Sequence, residues 1–85
     1  MLQLRQEGVT WREVDGEIVV LDLESASYFA LNKSATPLWH ALLDGATRDQ
    51  LVAVLTSTYA IDGDRAATDV DAFLASCREG GFLQE

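Results

Sequence analysis

The sequence has few of the residues that hold small proteins together covalently or through metals. It contains one cysteine and one histidine in 85 residues, so it has neither an internal disulfide nor a Cys/His cluster for structural zinc. It also lacks a run of about 20 apolar residues and a charged-then-apolar leader with a cleavage site. We therefore expect a cytoplasmic protein without structural metal, folded as a single domain over residues 1–85.

Positively charged residues are scarce as well. Six Lys and Arg stand against fourteen Asp and Glu, which gives a net charge of −8. Because nucleic-acid binding draws much of its affinity from neutralised phosphates, this charge argues against DNA, RNA and anionic membranes as partners. A basic peptide or protein surface would instead be attracted. The hydrophobic fraction of 48% is that of a globular domain.

The first third of the chain has the pattern of a three-stranded antiparallel sheet. Asp15-Gly16 lies between two β-rich segments, Thr10–Val14 and Glu17–Leu23, and Asp-Gly in that setting is a strong hairpin signal. A looser turn over residues 23–26 leads to a third predicted strand, Ser27–Leu31.

From residue 32 onward, apolar residues recur at helical spacing, which predicts three helices. Ser34 is expected to cap the first helix. Thr47-Arg48-Asp49-Gln50 matches a capping box that opens the second helix. Asp64 is expected to cap the third helix, which ends at Gly80-Gly81. Phe82-Leu83 is then expected to fold back onto the core.

These elements predict an α+β fold that is winged helix-turn-helix-like, with a three-stranded antiparallel N-terminal sheet packed on three helices. In a DNA-binding protein of this kind, the third helix would contact the DNA. Here that helix would repel phosphate, because its arginines are outnumbered by acidic residues, namely Asp64, Asp69, Asp71 and Glu79. A transcriptional winged-helix domain is therefore an alternative that the charge disfavours.

The histidine, the cysteine and the acidic residues show no spacing that predicts a catalytic, cofactor or metal site. His40 has no nucleophile or carboxylate at a suggestive spacing, so we interpret it as a surface or half-buried helix residue. Cys77 lies on the apolar stripe of the third helix. Asp62-Gly63-Asp64 resembles the start of a calcium loop, but Ala67 and Phe73 stand where an EF-hand needs Gly and Glu. We expect a binding module rather than an enzyme.

The third predicted strand is the most informative element for function. It is expected to have one paired neighbour, and Ser27–Leu31 contains neither a charge nor a proline, the features that normally protect an open edge. The second strand has apolar residues on both faces. Three interpretations stay open. The extra apolar residues could cover a small core, they could form a homodimer sheet, or an extended peptide could add a strand at this edge.

Several short motifs occur in a characteristic order along the chain: Val19-Val20-Leu21-Asp22, Tyr28-Phe29-Ala30-Leu31-Asn32, Leu38-Trp39, Asp69-Val70, Phe73-Leu74 and Gly80-Gly81-Phe82-Leu83. Their order and spacing resemble the PqqD-like family over about residues 10–84. The resemblance is to free-standing leader-recognition proteins of lasso-peptide clusters. Such domains, called RiPP recognition elements, bind the leader segment of a ribosomally made precursor peptide and present it to modifying enzymes.

The resemblance implies that the leader pairs with the third strand as an added antiparallel strand, in a groove walled by the third helix. The implied partner enzymes are a leader peptidase and possibly a macrolactam synthetase, and no cofactor is implied. Phe73 and Tyr28 would form an apolar pocket, unless Phe73 belongs to the core. Asp69, with Asp71 nearby, would favour Lys or Arg on the leader. The implied peptide-binding residues are Val20, Ser27, Tyr28, Phe29, Ala30, Asp69, Val70, Phe73 and Ser76.

Two alternatives stay open beside this interpretation. Within the same family, the protein could be a peptide chaperone for a radical enzyme in quinone-cofactor synthesis. It could also be an acidic winged-helix scaffold subunit that holds an enzyme complex together without touching the substrate.

Overall fold

The computed structural model describes residues 1–5 and 7–84, so the predicted domain range includes two residues that lie outside this part. Strands occupy the first third of the chain and helices most of the rest, which confirms the predicted α+β class. A short 3-10 turn, Lys33–Ala35, joins the two regions. The elements are β1 Gln3–Leu4, β2 Val9–Val14, β3 Glu17–Asp22, β4 Ser27–Leu31, α1 Thr36–Leu43, α2 Arg48–Tyr59, α3 Gly63–Gly80 and β5 Leu83–Gln84.

The main sheet is an antiparallel meander in the order β2-β3-β4. Asp15 and Gly16 form the tight turn between β2 and β3 with φ values of 54° and 82°. Two successive residues with positive φ are what a type I′ turn requires, and this explains the strong signal from Asp-Gly. The third predicted strand is β4, and its observed bounds match the predicted ones.

One face of the sheet packs on the helices, and the other face is exposed. Ile18 and Val20 have no exposed surface, and Asp22 shares their buried face. Leu21 points to the opposite face and is 45% exposed. On β4, Phe29 and Leu31 are half-buried against the core, whereas Tyr28 and Ala30 are exposed. The helices therefore cover a single side of the meander.

The helix caps are partly those that the sequence predicts. Thr47 and Gln50 form the expected capping box at the start of α2. The Ser34 cap is wrong, because the Asn32 side chain accepts the hydrogen bond from the Ala35 amide, and Ser34 donates its hydroxyl to the same Asn32 oxygen. The predicted cap of α3 is two residues too late, since the side chain of Asp62, not of Asp64, accepts the amide hydrogen bond from Arg65 at 2.8 Å.

A small second sheet joins the two ends of the described chain, and sequence reasoning missed it. β1 and β5 pair antiparallel, with Leu4 opposite Leu83. Gly81 ends α3 in the left-handed conformation, with φ of 77°, and Phe82 then turns back into the core with 3% of its surface exposed. The predicted return of Phe82 and Leu83 is thus confirmed, but as a strand that pairs with the N-terminal segment.

The core lies between the inner face of the sheet and the three helices. Trp39, Leu42 and Leu51 are completely or almost completely buried at its centre. On the outside of the helical layer, Arg48 of α2 donates two hydrogen bonds to Asp71 of α3, at 2.7 and 2.9 Å. This contact marks the side of α3 that is next to α2, and the opposite side of α3 faces β4 across the groove residues.

Candidate peptide-binding site

The open edge of β4 is the first component of the site. Within the described part of the chain, β4 pairs with β3 alone. Val14 and Glu17 flank the tight turn and form its hydrogen-bonded pair. Because such pairs alternate along antiparallel strands, Ile18 and Val20 of β3 direct their backbone groups toward β4.

The strand register decides which backbone groups of β4 are available. Phe29 and Leu31 lie opposite Val20 and Ile18 and therefore bond to β3. Tyr28 and Ala30 then present their N–H and C=O groups to the open edge. This edge offers four backbone hydrogen-bonding groups to an added strand, and the alternate side chains of β4, Phe29 and Leu31, face inward.

A groove of about 450 Å³ between β4 and α3 is the second component. The strand side of the groove continues into the 3-10 turn, and its floor is formed by residues of the core. The residues that line it are Ala30, Leu31, Asn32, Ser34, Ala35, Leu38, Leu55, Arg65, Asp69, Ala72, Phe73 and Ser76. An open strand edge beside such a groove is the geometry that strand addition of a peptide requires.

The two walls of the groove run in opposite directions. At one end, a Cβ atom on Gly80 would lie only 3.2 Å from the Phe29 ring, so the start of β4 is beside the C-terminus of α3. At the other end, the Tyr59 hydroxyl at the close of α2 donates to the Lys33 carbonyl at 3.1 Å, just before α3 begins. The end of β4 therefore lies near the N-terminal half of α3.

The nine predicted site residues fall into three groups in the structure. Four line the groove: Ala30, Asp69, Phe73 and Ser76. Three lie along β4 outside that lining: Ser27 and Tyr28 are exposed at the edge, and the Phe29 ring packs perpendicular to Phe82 with 5.0 Å between ring centroids. The last two, Val20 and Val70, have no exposed surface and lie in the core, where they support the groove without being able to touch a bound peptide.

Phe73 and Tyr28 do not form the shared pocket that we expected. Tyr28 is 70% exposed and lies opposite Leu21 on the outer face of the sheet, whereas Phe73 is 6% exposed and faces the groove and the core. The period-2 alternation of β4 sends neighbouring side chains to opposite faces, so Tyr28 points away from α3. Phe73 is therefore a core residue with one edge in the groove.

Two opposite charges border the groove, one of which sequence reasoning missed. Arg65 and Asp69 both line it, and neither has an ion-pair partner among residues 1–5 and 7–84. Asp71, which we expected to help attract a basic leader residue, is bound to Arg48, whose hydrogen bond holds the pKa of this carboxyl below its ordinary value. Arg65 could have been found from its spacing to Asp69 on the same helix face.

The other candidate reactive groups lie away from the groove. His40 is exposed and contacts the Glu13 carboxylate at 2.8 Å, a partner 27 residues away that sequence spacing could not reveal. Burial raises the pKa of the Cys77 thiol to about 12, which disfavours the reactive thiolate in the folded protein. No group of three or more potential metal ligands occurs within the described residues. None of the helices described has the length and apolarity that crossing a membrane requires.

The fold and the site together define a small winged-helix-like domain with an open sheet edge beside a helix-walled groove. The family model described as "Coenzyme PQQ synthesis protein D (PqqD)" matches residues 17–83, and the chain belongs to this PqqD family. The resemblance found in the sequence is thereby confirmed.

Two solved structures are similar to almost the whole chain. One is described as "Lasso peptide synthetase B1 complexed with the leader peptide"; it is 30% identical, with a TM-score of 0.84, and the match covers 99% of this chain and 98% of that chain. The other is "TbiB1 in Complex with the TbiA(beta) Leader Peptide"; it is 23% identical, with a TM-score of 0.86, covers 96% and 94% of the two chains, and supports the fold alone. A search of the curated proteins finds no match.

Proposed function

We propose that this protein binds the leader segment of a ribosomally made precursor peptide as an added antiparallel strand on β4. The observation that carries the proposal is the uncharged edge of Tyr28 and Ala30 beside the groove of α3. The family membership and the 30% identical lasso peptide synthetase B1 protein, which was solved with a leader peptide, support it.

The edge and the groove supply enough interaction for a usable affinity. Four backbone hydrogen bonds at about 1 kcal/mol each, with two buried apolar side chains at about 2 kcal/mol each, give roughly 8 kcal/mol. Ordering a flexible leader removes several of these. Backbone pairing is nearly independent of peptide sequence, so the groove side chains must supply the specificity.

In this proposal the protein is a non-catalytic adaptor in lasso-peptide biosynthesis. It delivers the leader to a leader peptidase and to a macrolactam synthetase, which carry out the chemistry. The positions of the two potentially reactive side chains support a non-catalytic role. Cys77 is buried, and His40 is bound to Glu13 outside the groove.

Binding is tested by titrating the protein into a fluorescein-labelled leader of the precursor encoded in the same gene cluster and recording anisotropy. We expect saturable binding with a dissociation constant between tens of micromolar and about 1 mM, because about 4–6 kcal/mol of net free energy is left after the ordering cost. A leader with the same composition in scrambled order is the matched control, since it keeps any general attraction to a protein of net charge −8. Equal binding of both peptides, or of neither, would refute recognition of the leader.

The description of the family model names coenzyme PQQ synthesis, which favours a second candidate function. In that role the same edge would hold the precursor of a quinone cofactor for a radical enzyme. The two roles are separated by titrating both precursors against one preparation of the protein. Tighter binding of the quinone precursor would assign the second role. Copurification with a peptidase in the absence of affinity for either peptide would instead indicate a scaffold subunit.

A further inference from the structure

We infer that the groove selects a peptide by the order of its charges, with an acidic residue two positions before a basic one. This inference rests on the proposed function, because it assumes that a peptide strand pairs antiparallel with β4. It adds the chemical class of the side chains that enter the groove. The residues that carry it are Arg65 and Asp69 of α3, which line the groove with no ion-pair partner among the residues that the structure describes.

The spacing of the two charges matches that of a strand. Arg65 and Asp69 are four residues apart on a helix, a rise of about 6 Å. Two residues of an extended strand span about 6.8 Å, and alternate side chains of that strand face the same side. A peptide on β4 can therefore place one side chain opposite Arg65 and the next inward-facing side chain opposite Asp69.

The direction of α3 fixes the order of the two peptide charges. Because α3 runs opposite to β4, a strand antiparallel to β4 runs in the same direction as α3. Its inward side chains then meet Arg65 first, Asp69 second and the edge of Phe73 third. The favoured pattern is acidic-x-basic-x-apolar, where x marks side chains that point to the outer face beside Tyr28 and Ala30.

Neither charge is neutralised within its own helix. An Arg that precedes an acidic residue by four positions is the less favourable order for a pair on a helix surface. Asp71, by contrast, is already paired with Arg48 at 2.7 Å. The acidic position of the pattern is notable because the net charge of −8 alone would favour an entirely basic peptide.

The experiment uses a phage-displayed library of random 12-residue peptides, selected on the immobilised full chain. A variant that carries both Arg65→Asp and Asp69→Arg is selected in parallel. It keeps the net charge of −8, so any difference comes from the placement of charge. Thermal denaturation first establishes that the variant is folded, as expected for two exposed positions.

We expect the wild type to enrich acidic-x-basic peptides and the variant to enrich basic-x-acidic peptides. A selected synthetic peptide should prefer the wild type by about 2- to 25-fold, from two exposed ion pairs of about 1.4- to 5-fold each. High salt should reduce this preference.

Four outcomes would overturn the inference. Enrichment of basic-x-acidic peptides by the wild type would refute the order, and identical peptides from both proteins would refute the role of the two charges. Both results leave leader binding itself standing. Failure of the wild type to enrich any peptide would instead contradict the proposed function, whereas failure of the folded variant alone would refute the expected reversal of the charge order.

Discussion

Replacing Ala30 by proline tests whether a peptide pairs with the edge of β4. The register directs the Ala30 N–H away from β3, so proline removes a hydrogen-bond donor that the folded domain does not use in its own sheet. Proline also restricts the preceding residue to extended conformations, and Phe29 is already in a strand. We therefore expect the variant to keep its fold and lose affinity for the leader.

The size of the loss follows from the backbone groups that the ring affects. The Ala30 amide would contribute one of the four edge hydrogen bonds, worth about 0.5–1.5 kcal/mol net. The pyrrolidine ring also occupies the space in which the carbonyl of the added strand would lie, which weakens the neighbouring bond. A total loss of about 1–3 kcal/mol in binding free energy corresponds to a 5- to 150-fold larger dissociation constant.

The assay compares anisotropy titrations of the leader with Ala30→Pro and with a proline on the opposite edge of the sheet. Glu13→Pro is the matched control, because Glu13 lies on the outer strand β2 at a position whose N–H also points away from β3. It disrupts only an exposed contact with His40, which stabilises little. Unchanged affinity for Ala30→Pro, with both variants folded by circular dichroism, would refute strand addition at β4.

Four further predictions concern stability and accessibility. Gly80→Ala should destabilise the domain by about 1–3 kcal/mol, because the new Cβ would lie 2.5 Å from the buried Phe82 ring; an unchanged melting temperature would contradict this. Burial alone would raise the pKa of the Asp22 carboxyl, but hydrogen bonds, with Arg5 nearby, hold that pKa below 3.8. The ionised carboxylate therefore stabilises the fold at neutral pH, and this stabilisation disappears as the pH falls below about 4. Melting curves of Asp22→Asn should depend less on pH in that range than those of the wild type. Cys77 should react with a thiol reagent only as fast as the protein unfolds, and a rapid reaction in native buffer would show that it is accessible. Phe73→Ala should cost about 3–5 kcal/mol in urea unfolding, and a midpoint equal to that of the wild type would place this ring on the surface.

The parts of the fold that the sequence predicted are those encoded by neighbouring residues. Asp15-Gly16 specifies its turn through backbone conformations that few other residue pairs tolerate. Thr47 and Gln50 specify the start of α2 through reciprocal hydrogen bonds within one helical turn. The bounds of β4 followed from a run of residues with strand character between two turns. In each case, the energy that decides the conformation comes from residues a few positions apart.

The parts that it did not predict depend on contacts between distant segments. The pairing of Leu4 with Leu83 joins the two ends of the chain, and neither two-residue strand has a pattern of its own. Two caps were misplaced because Asn32 and Ser34, like Asp62 and Asp64, are all acceptable cap residues, and the surrounding structure selects between them. The same limit applies to the site, where the proximity of α3 to β4 decides which charges border the groove.

The acidic composition of the domain explains how β4 can have an unprotected edge. An edge without charge or proline is a place where two copies of a chain can pair, and most proteins protect such edges with local charges. Here β4 must stay free of charge and proline if a peptide is to approach its backbone, so protection has to come from elsewhere. A net charge of −8 on each copy opposes the homodimer sheet by repulsion, which acts over about 10 Å at moderate ionic strength. A leader with a basic residue beside Asp69 does not meet the same repulsion, so the charge of the whole domain can exclude its own copies from an edge that it leaves open to a peptide.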